Sequence, residues 1–115
     1  MVDAQPKMTG PTRAVLETLL ARPDDEHYGL AIGAATLLPS GTVHPILARL
    51  EGLGWVRSEW EDVDPSDAGR PRRRHYRLTA AGATAASAAL ARDDARRARL
   101  AARAPSSPRP QGATS

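Results

Sequence analysis

The sequence has no cysteine, no phenylalanine, a single lysine, and only Trp55, Trp60, Tyr28 and Tyr76 as aromatic residues among 115. Each shortage excludes something. Without cysteine there are no disulfides, no thiolate metal ligands and no thiol redox chemistry. With so few aromatics, the core must be built from Leu, Val, Ile and Ala, at about 1.5–3 kcal/mol for each large side chain fully buried. A thin core of this kind commonly borrows stability from a partner subunit. No run approaches the ~18 apolar residues that a membrane-spanning helix needs. The N-terminal MVDAQPKMTG lacks the apolar stretch of a signal peptide, so a soluble, cytoplasmic protein is expected. Metal-site and catalytic spacings are missing too. His27, His44 and His75 fall into no ligand or triad pattern, and there is no G-x-S-x-G, P-loop or H-E-x-x-H. Neither an enzyme nor a cofactor is expected.

What is present is arginine, unevenly placed. Residues 1–69 carry five basic against eleven acidic residues, a balance of −6, whereas residues 70–115 carry eleven Arg against Asp93 and Asp94, a balance of +9. A local basic footprint on a small chain points first to nucleic acid. A GC-rich coding composition, which inflates Arg and Ala together, accounts for part of the excess.

Hydrophobic spacing orders the chain. Val15, Leu16, Leu19 and Leu20 mark one helix face over 12–21, with Thr9 or Thr12 as cap and Arg22-Pro23 as its end. A second helix is expected over about 27–36, preceded by Asp24, Asp25 and Glu26 and packing through Tyr28, Ala31, Ile32 and Ala35. A third is expected over 41–52, with Ser40 as N-cap, Val43, Ile46, Leu47 and Leu50 inside, and Gly52 and Gly54 as stop signals. Residues 55–61 and 73–78 read as strands joined by a turn-rich loop over 62–71. Thr79 then caps a long Ala-rich helix reaching about residue 103. The fold class is therefore mainly α with a small β-hairpin: a winged helix-turn-helix plus one long C-terminal helix. The expected organisation is a flexible arm over 1–9, the winged domain over 10–78, a long C-terminal helix over 79–103 and a disordered tail over 104–115.

Tyr28-Gly29, the run Ser40-Gly41-Thr42-Val43-His44-Pro45-Ile46-Leu47, Leu50-Glu51, Gly54-Trp55-Val56, Trp60, and the run from Arg73 to Gly82 together resemble the PadR family of bacterial transcriptional regulators. The family usually has Tyr at the positions of His44 and His75. A single long C-terminal helix resembles its short-form group, in which that helix mediates dimerisation. Some members of that group bind planar hydrophobic compounds at the dimer interface, often with a Trp of that helix. Here the helix has no aromatic residue, and a small-molecule effector is left unproven.

The resemblance and the residue chemistry imply a homodimer on double-stranded DNA, most simply a repressor on an inverted repeat. The third helix would enter the major groove. Ser40 and Thr42 offer hydroxyls, His44 a ring nitrogen, Gly41 close approach, and Arg49 a backbone contact. Tyr28 is expected on a phosphate. Arg70, Arg72, Arg73 and Arg74 sit on one short loop, where like charges repel unless an anion is near, and guanidinium suits phosphate and a narrow minor groove. Ala83, Ala86, Leu90 and Leu100, with Arg97, approximate a partner-facing stripe. The alternative is a winged-helix protein-interaction module that binds no DNA. In that reading Ser40 is a plain cap, Tyr28 is packing and the wing is a solvated loop.

Overall fold

A computed structural model describes residues 5–103. Its elements in chain order are α1 (Gly10–Ala21), β1 (His27–Tyr28), α2 (Gly29–Thr36), α3 (Ser40–Gly52), β2 (Val56–Trp60), α4 (Pro65–Ala68), β3 (Arg74–Leu78) and α5 (Ala80–Arg103). The tail over 104–115 and the first four residues lie outside the described part. Residues 5–9, expected within a flexible arm, lie against the domain: Pro6 is buried and Met8 packs on the core.

The core follows the spacing of the apolar residues. Val15, Leu16 and Leu19 of α1, Ile32 of α2, and Val43, Leu47 and Leu50 of α3 are fully buried, joined by Trp55, Val56, Tyr76, Leu78, Ala86 and Ala89. The Thr9 side chain accepts from the Thr12 amide and starts α1 just ahead of Pro11. The α2–α3 pair meets at 117° across Leu37–Pro39, the angle range of a helix-turn-helix. Leu37 makes that turn at φ 60°, a left-handed conformation costly for a branched side chain.

Helix α3 ends in a Schellman motif. Trp55 N donates to Leu50 O, Gly54 N donates to Glu51 O, and Gly54 adopts φ 76°. The turn also receives the start of α5. Thr79 Oγ1 accepts from Gly82 N at 2.8 Å and donates to Gly54 O at 2.7 Å, and Thr79 N donates to Trp55 O at 3.0 Å. A Cβ on Gly82 would stand 1.9 Å from Trp55 O, so only glycine lets α5 approach this closely. The C-terminal end of α3 and the first turn of α5 are thus one rigid joint.

Several expectations are corrected. The second helix begins at Gly29, not His27. His27 and Tyr28 are extended and pair with Tyr76 and His75, making a three-stranded antiparallel sheet ordered β1-β3-β2 instead of a bare hairpin. Of its expected inner stripe only Ile32 is buried, and Glu26 serves no helix dipole but pairs with Arg77 at 3.3 Å. Ser40 is not the cap of α3: Pro39 is, its carbonyl accepting from Thr42 N and Val43 N, and the Ser40 side chain is exposed. The loop over 62–71 contains α4, capped by Asp64, whose carboxylate accepts from Ser66 N at 2.8 Å, with Pro65 in the first turn and Gly69 closing it at φ 69°.

Candidate nucleic-acid interface

The wing and the outer side of α3 enclose a concave corner. Along the β2–β3 ribbon, Val56 pairs with Leu78 in the core, Ser58 pairs with Tyr76, and Trp60 pairs with Arg74 beyond it. These residues share one face by alternation, so the ribbon carries its helix-facing side outward past α3. Glu51 of α3 ties the two together, accepting from Ser58 Oγ at 2.6 Å and pairing with Arg74 at 3.5 Å.

A hollow of about 140 Å³ opens in this corner, lined by Tyr28, Gly29, Leu30, His44, Arg73, Arg74 and Tyr76. Four of the sequence-predicted residues therefore come together: Tyr28, His44, Arg73 and Arg74. The Arg73 guanidinium lies 4.9 Å above the Tyr28 ring, and His75 meets that ring edge-on at 6.0 Å. Arg74 lies over the Trp60 ring at 5.7 Å. The His44 imidazole stands against Gly29, where a Cβ would be 3.0 Å from Cε1. An alanine there would crowd the ring, which the exposed His44 side chain could relieve by turning away.

The remaining predicted residues are spread. Ser40 and Gly41 are exposed at the start of α3, and Thr42 is half-buried. Arg49 lies on the far flank, where it lines a separate hollow with Pro6, Thr12, Pro45, Ile46 and Leu50. Arg72 donates to Val63 O at 2.8 Å and edges an open groove with Trp60, Pro65 and Pro71.

The wing arginines do have an anion near them, and it is internal. Glu61 is buried at the root of the loop. It accepts from both terminal nitrogens of Arg70 and from Arg73 N at 2.8 Å, with Arg73 Nε at 3.6 Å. The Arg70 hydrogen bonds, helped by the Arg73 amide and against the cost of burial, hold the Glu61 carboxyl down to about 2. Arg70 is accordingly a bracket of the wing, while Arg73 and Arg74 keep nearly half of their side-chain surface exposed. The sequence reading missed Glu61. The signal lay in the hairpin register, which brings Glu61 N to Arg73 O at 2.8 Å.

At the other end, Ala86 is fully buried in the chain's own core, which removes it from the expected partner-facing stripe. Ala83 and Leu90 pack partly on that core, and Leu100 is 52% exposed. Asp93 is buried where α5 crosses α1. It accepts from Arg97 at 2.7 Å, Arg96 at 3.1 Å and Arg13 at 2.9 Å, and these bonds, Arg97 first, hold its carboxyl at about 2. Arg96 and Arg97 are therefore structural partners of Asp93. Among the described residues, no group of His, Asp or Glu could hold a metal ion, and no single helix is long and apolar enough to cross a membrane.

Comparison with solved structures places this architecture among winged-helix regulators. The chain is similar to MepR, a transcription regulator of the Staphylococcus aureus multidrug efflux pump MepA, with a TM-score of 0.59 and 22% identity over 86% of this chain and 67% of that one. A MepR variant from S. aureus bound to an oligodeoxyribonucleotide gives a TM-score of 0.61 at 20% identity, covering 85% of this chain and 67% of that one. Disulfide-formed AbfR gives 0.54 at 31% identity, covering 67% of this chain and 51% of that one. No protein of curated function matches. Residues 19–88, which run from the end of α1 into α5 and include the corner, match the transcriptional regulator PadR-like family. The chain belongs to the PadR-like family of transcriptional regulators.

Proposed function

We propose that this protein binds duplex DNA as a homodimer and represses transcription from an inverted-repeat operator. The observation that carries the reading is the corner itself: Tyr28, His44, Arg73 and Arg74 converge on one hollow beside the exposed side of α3. A duplex whose major groove receives α3 brings a phosphate strand against that hollow, where the guanidinium groups and the Tyr28 hydroxyl meet its oxygens. MepR, which shares the fold, has been captured on an oligodeoxyribonucleotide. Tyr28, His44, Arg73 and Arg74 are the phosphate-side contacts in this reading, and Ser40, Gly41, Thr42 and Arg49 border the groove-facing side. Arg70 shapes the wing, and Arg72 lies toward the minor groove.

Dimerisation falls to α5. All of its residues from Asp94 to Arg103 are exposed, which leaves Leu100 for a partner, with Leu90 and Ala83 at the margin. Two copies held this way space two α3 helices for half-sites about one helical turn apart, or a multiple.

A gel-shift assay at low salt, using the DNA upstream of the protein's own gene, tests the proposal. A shifted band that is competed by the same duplex and not by unrelated DNA is the expected result. A folded dimer, verified by sedimentation, that shifts no duplex favours the protein-interaction alternative.

A further inference from the structure

The polar side chains expected to read bases do not occupy the outermost line of α3. Val43, Leu47 and Leu50 are fully buried and define its inner side. At 3.6 residues per turn the opposite line is Gly41, Pro45, Ala48 and Gly52, and all four are exposed. None has a side-chain donor or acceptor. His44 and Glu51 fall on the flank toward the wing, where His44 is exposed beside Gly29 and Glu51 bonds Ser58 and pairs with Arg74. Thr42 and Arg49 fall on the opposite flank, Arg49 beside Pro6 and Thr12.

Resting on the DNA-binding reading above, we propose that α3 determines sequence through thymine methyl groups: Pro45 and Ala48 sit over A·T pairs at the centre of each half-site. In the major groove the C5-methyl of thymine is the one apolar feature a base pair offers. Facing proline and alanine, that methyl is buried against carbon. Both kinds of pair place polar edges in the groove (adenine N7 and N6 with thymine O4, guanine N7 and O6 with cytosine N4) and lose their water alike, so the preference for A·T comes from the methyl, which cytosine lacks. The two glycines on the line, Gly41 and Gly52, add no bulk and let the helix sit low in the groove.

The test uses the full chain and a random duplex pool. Repeated selection at fixed salt yields the preferred half-site, and deoxyuridine then replaces each selected thymine singly, removing only the methyl. Affinity is read by fluorescence anisotropy. The proposal expects adjacent A·T pairs at the centre, an affinity loss of about fourfold for deoxyuridine at one or two of them, and a smaller loss at one of these for Ala48→Ser. Central G·C pairs, or equal binding of thymine and deoxyuridine duplexes by the unsubstituted protein, overturn it while leaving DNA binding intact. A pool that yields no enriched duplex overturns the DNA-binding reading itself.

Discussion

The wing and the long helix each close a cluster of arginines on one buried carboxylate, and the two clusters perform different work. Glu61 gathers Arg70 and Arg73, nine and twelve residues away across a single hairpin. Asp93 gathers Arg96 and Arg97 from its own helix and Arg13 from α1, eighty residues away. The first arrangement shapes a loop. The second fastens one element to another across the whole chain. The same chemistry therefore sets local form at the wing and global orientation at α5, and the wing presents its remaining guanidinium surface beside the exposed side of α3.

The largest effect separates the ionic tie of α5 from its steric one. Gly82→Ala drives a methyl into the Trp55 carbonyl and should destabilise the fold by about 3 kcal/mol or more, read as a loss of denaturant midpoint. Asp93→Asn should loosen the distal part of α5 while its first turn stays joined to Gly54–Trp55, so amide exchange should rise around Arg13 and Asp93 and much less at Thr79–Gly82. Equal exchange at both places would mean that α5 is held as one cooperative unit and that the two ties are not separable.

Acid comes next. Both carboxyls lie at about 2, against ordinary values of 4.5 for Glu61 and 3.8 for Asp93. A depressed folded-state value means that the unfolded chain takes up the proton first, so the stabilisation is complete above about pH 4.5 and disappears as pH falls toward 2. Stability should drop through that window, and the double variant Glu61→Gln with Asp93→Asn should flatten the profile. An unchanged profile would assign the acid response to other groups.

Much of this fold was legible in the chain. The Thr9 cap, the apolar spacing of α1 and α3, the Gly54 stop, the two wing strands and the Thr79 cap each depend on neighbours in sequence. What escaped depends on contacts between distant segments. Strand β1 has two residues, too few for any periodicity, and exists because β3 offers it partners. The start of α4 carried its own signals, Asp64 and Pro65, hidden within a loop rich in turn formers. His44 is exposed as expected, and its ring lies beside Gly29 of α2, a proximity set by the angle between the two helices. Ala86 falls on a small-residue stripe, and only the packing of α5 on the domain shows that its side faces inward. The pairing of Glu61 with Arg70 needs the hairpin register, which composition does not supply.

A smaller effect concerns the turn between α2 and α3. Leu37 is 89% exposed and left-handed, so its side chain gains little for the strain it carries. Leu37→Gly should stabilise the protein by about 0.5–1 kcal/mol in thermal or chemical unfolding, with operator affinity unchanged. Destabilisation would mean that the added freedom of glycine in the unfolded chain outweighs the strain relieved.

The comparison between the two basic regions is tested most directly by the salt dependence of DNA affinity. For the unsubstituted protein, binding to its selected duplex should fall roughly 10³–10⁵-fold between 50 and 200 mM salt, as expected for ~6–10 neutralised phosphates. Arg73→Ala and Arg74→Ala should each lower the logarithmic slope by about 1 for every guanidinium lost from the complex. Arg99→Ala, on the exposed end of α5, should leave the slope unchanged. A shallow slope in the unsubstituted protein, or a slope that responds to Arg99 and not to Arg73 and Arg74, would contradict the assignment of the wing as the electrostatic anchor.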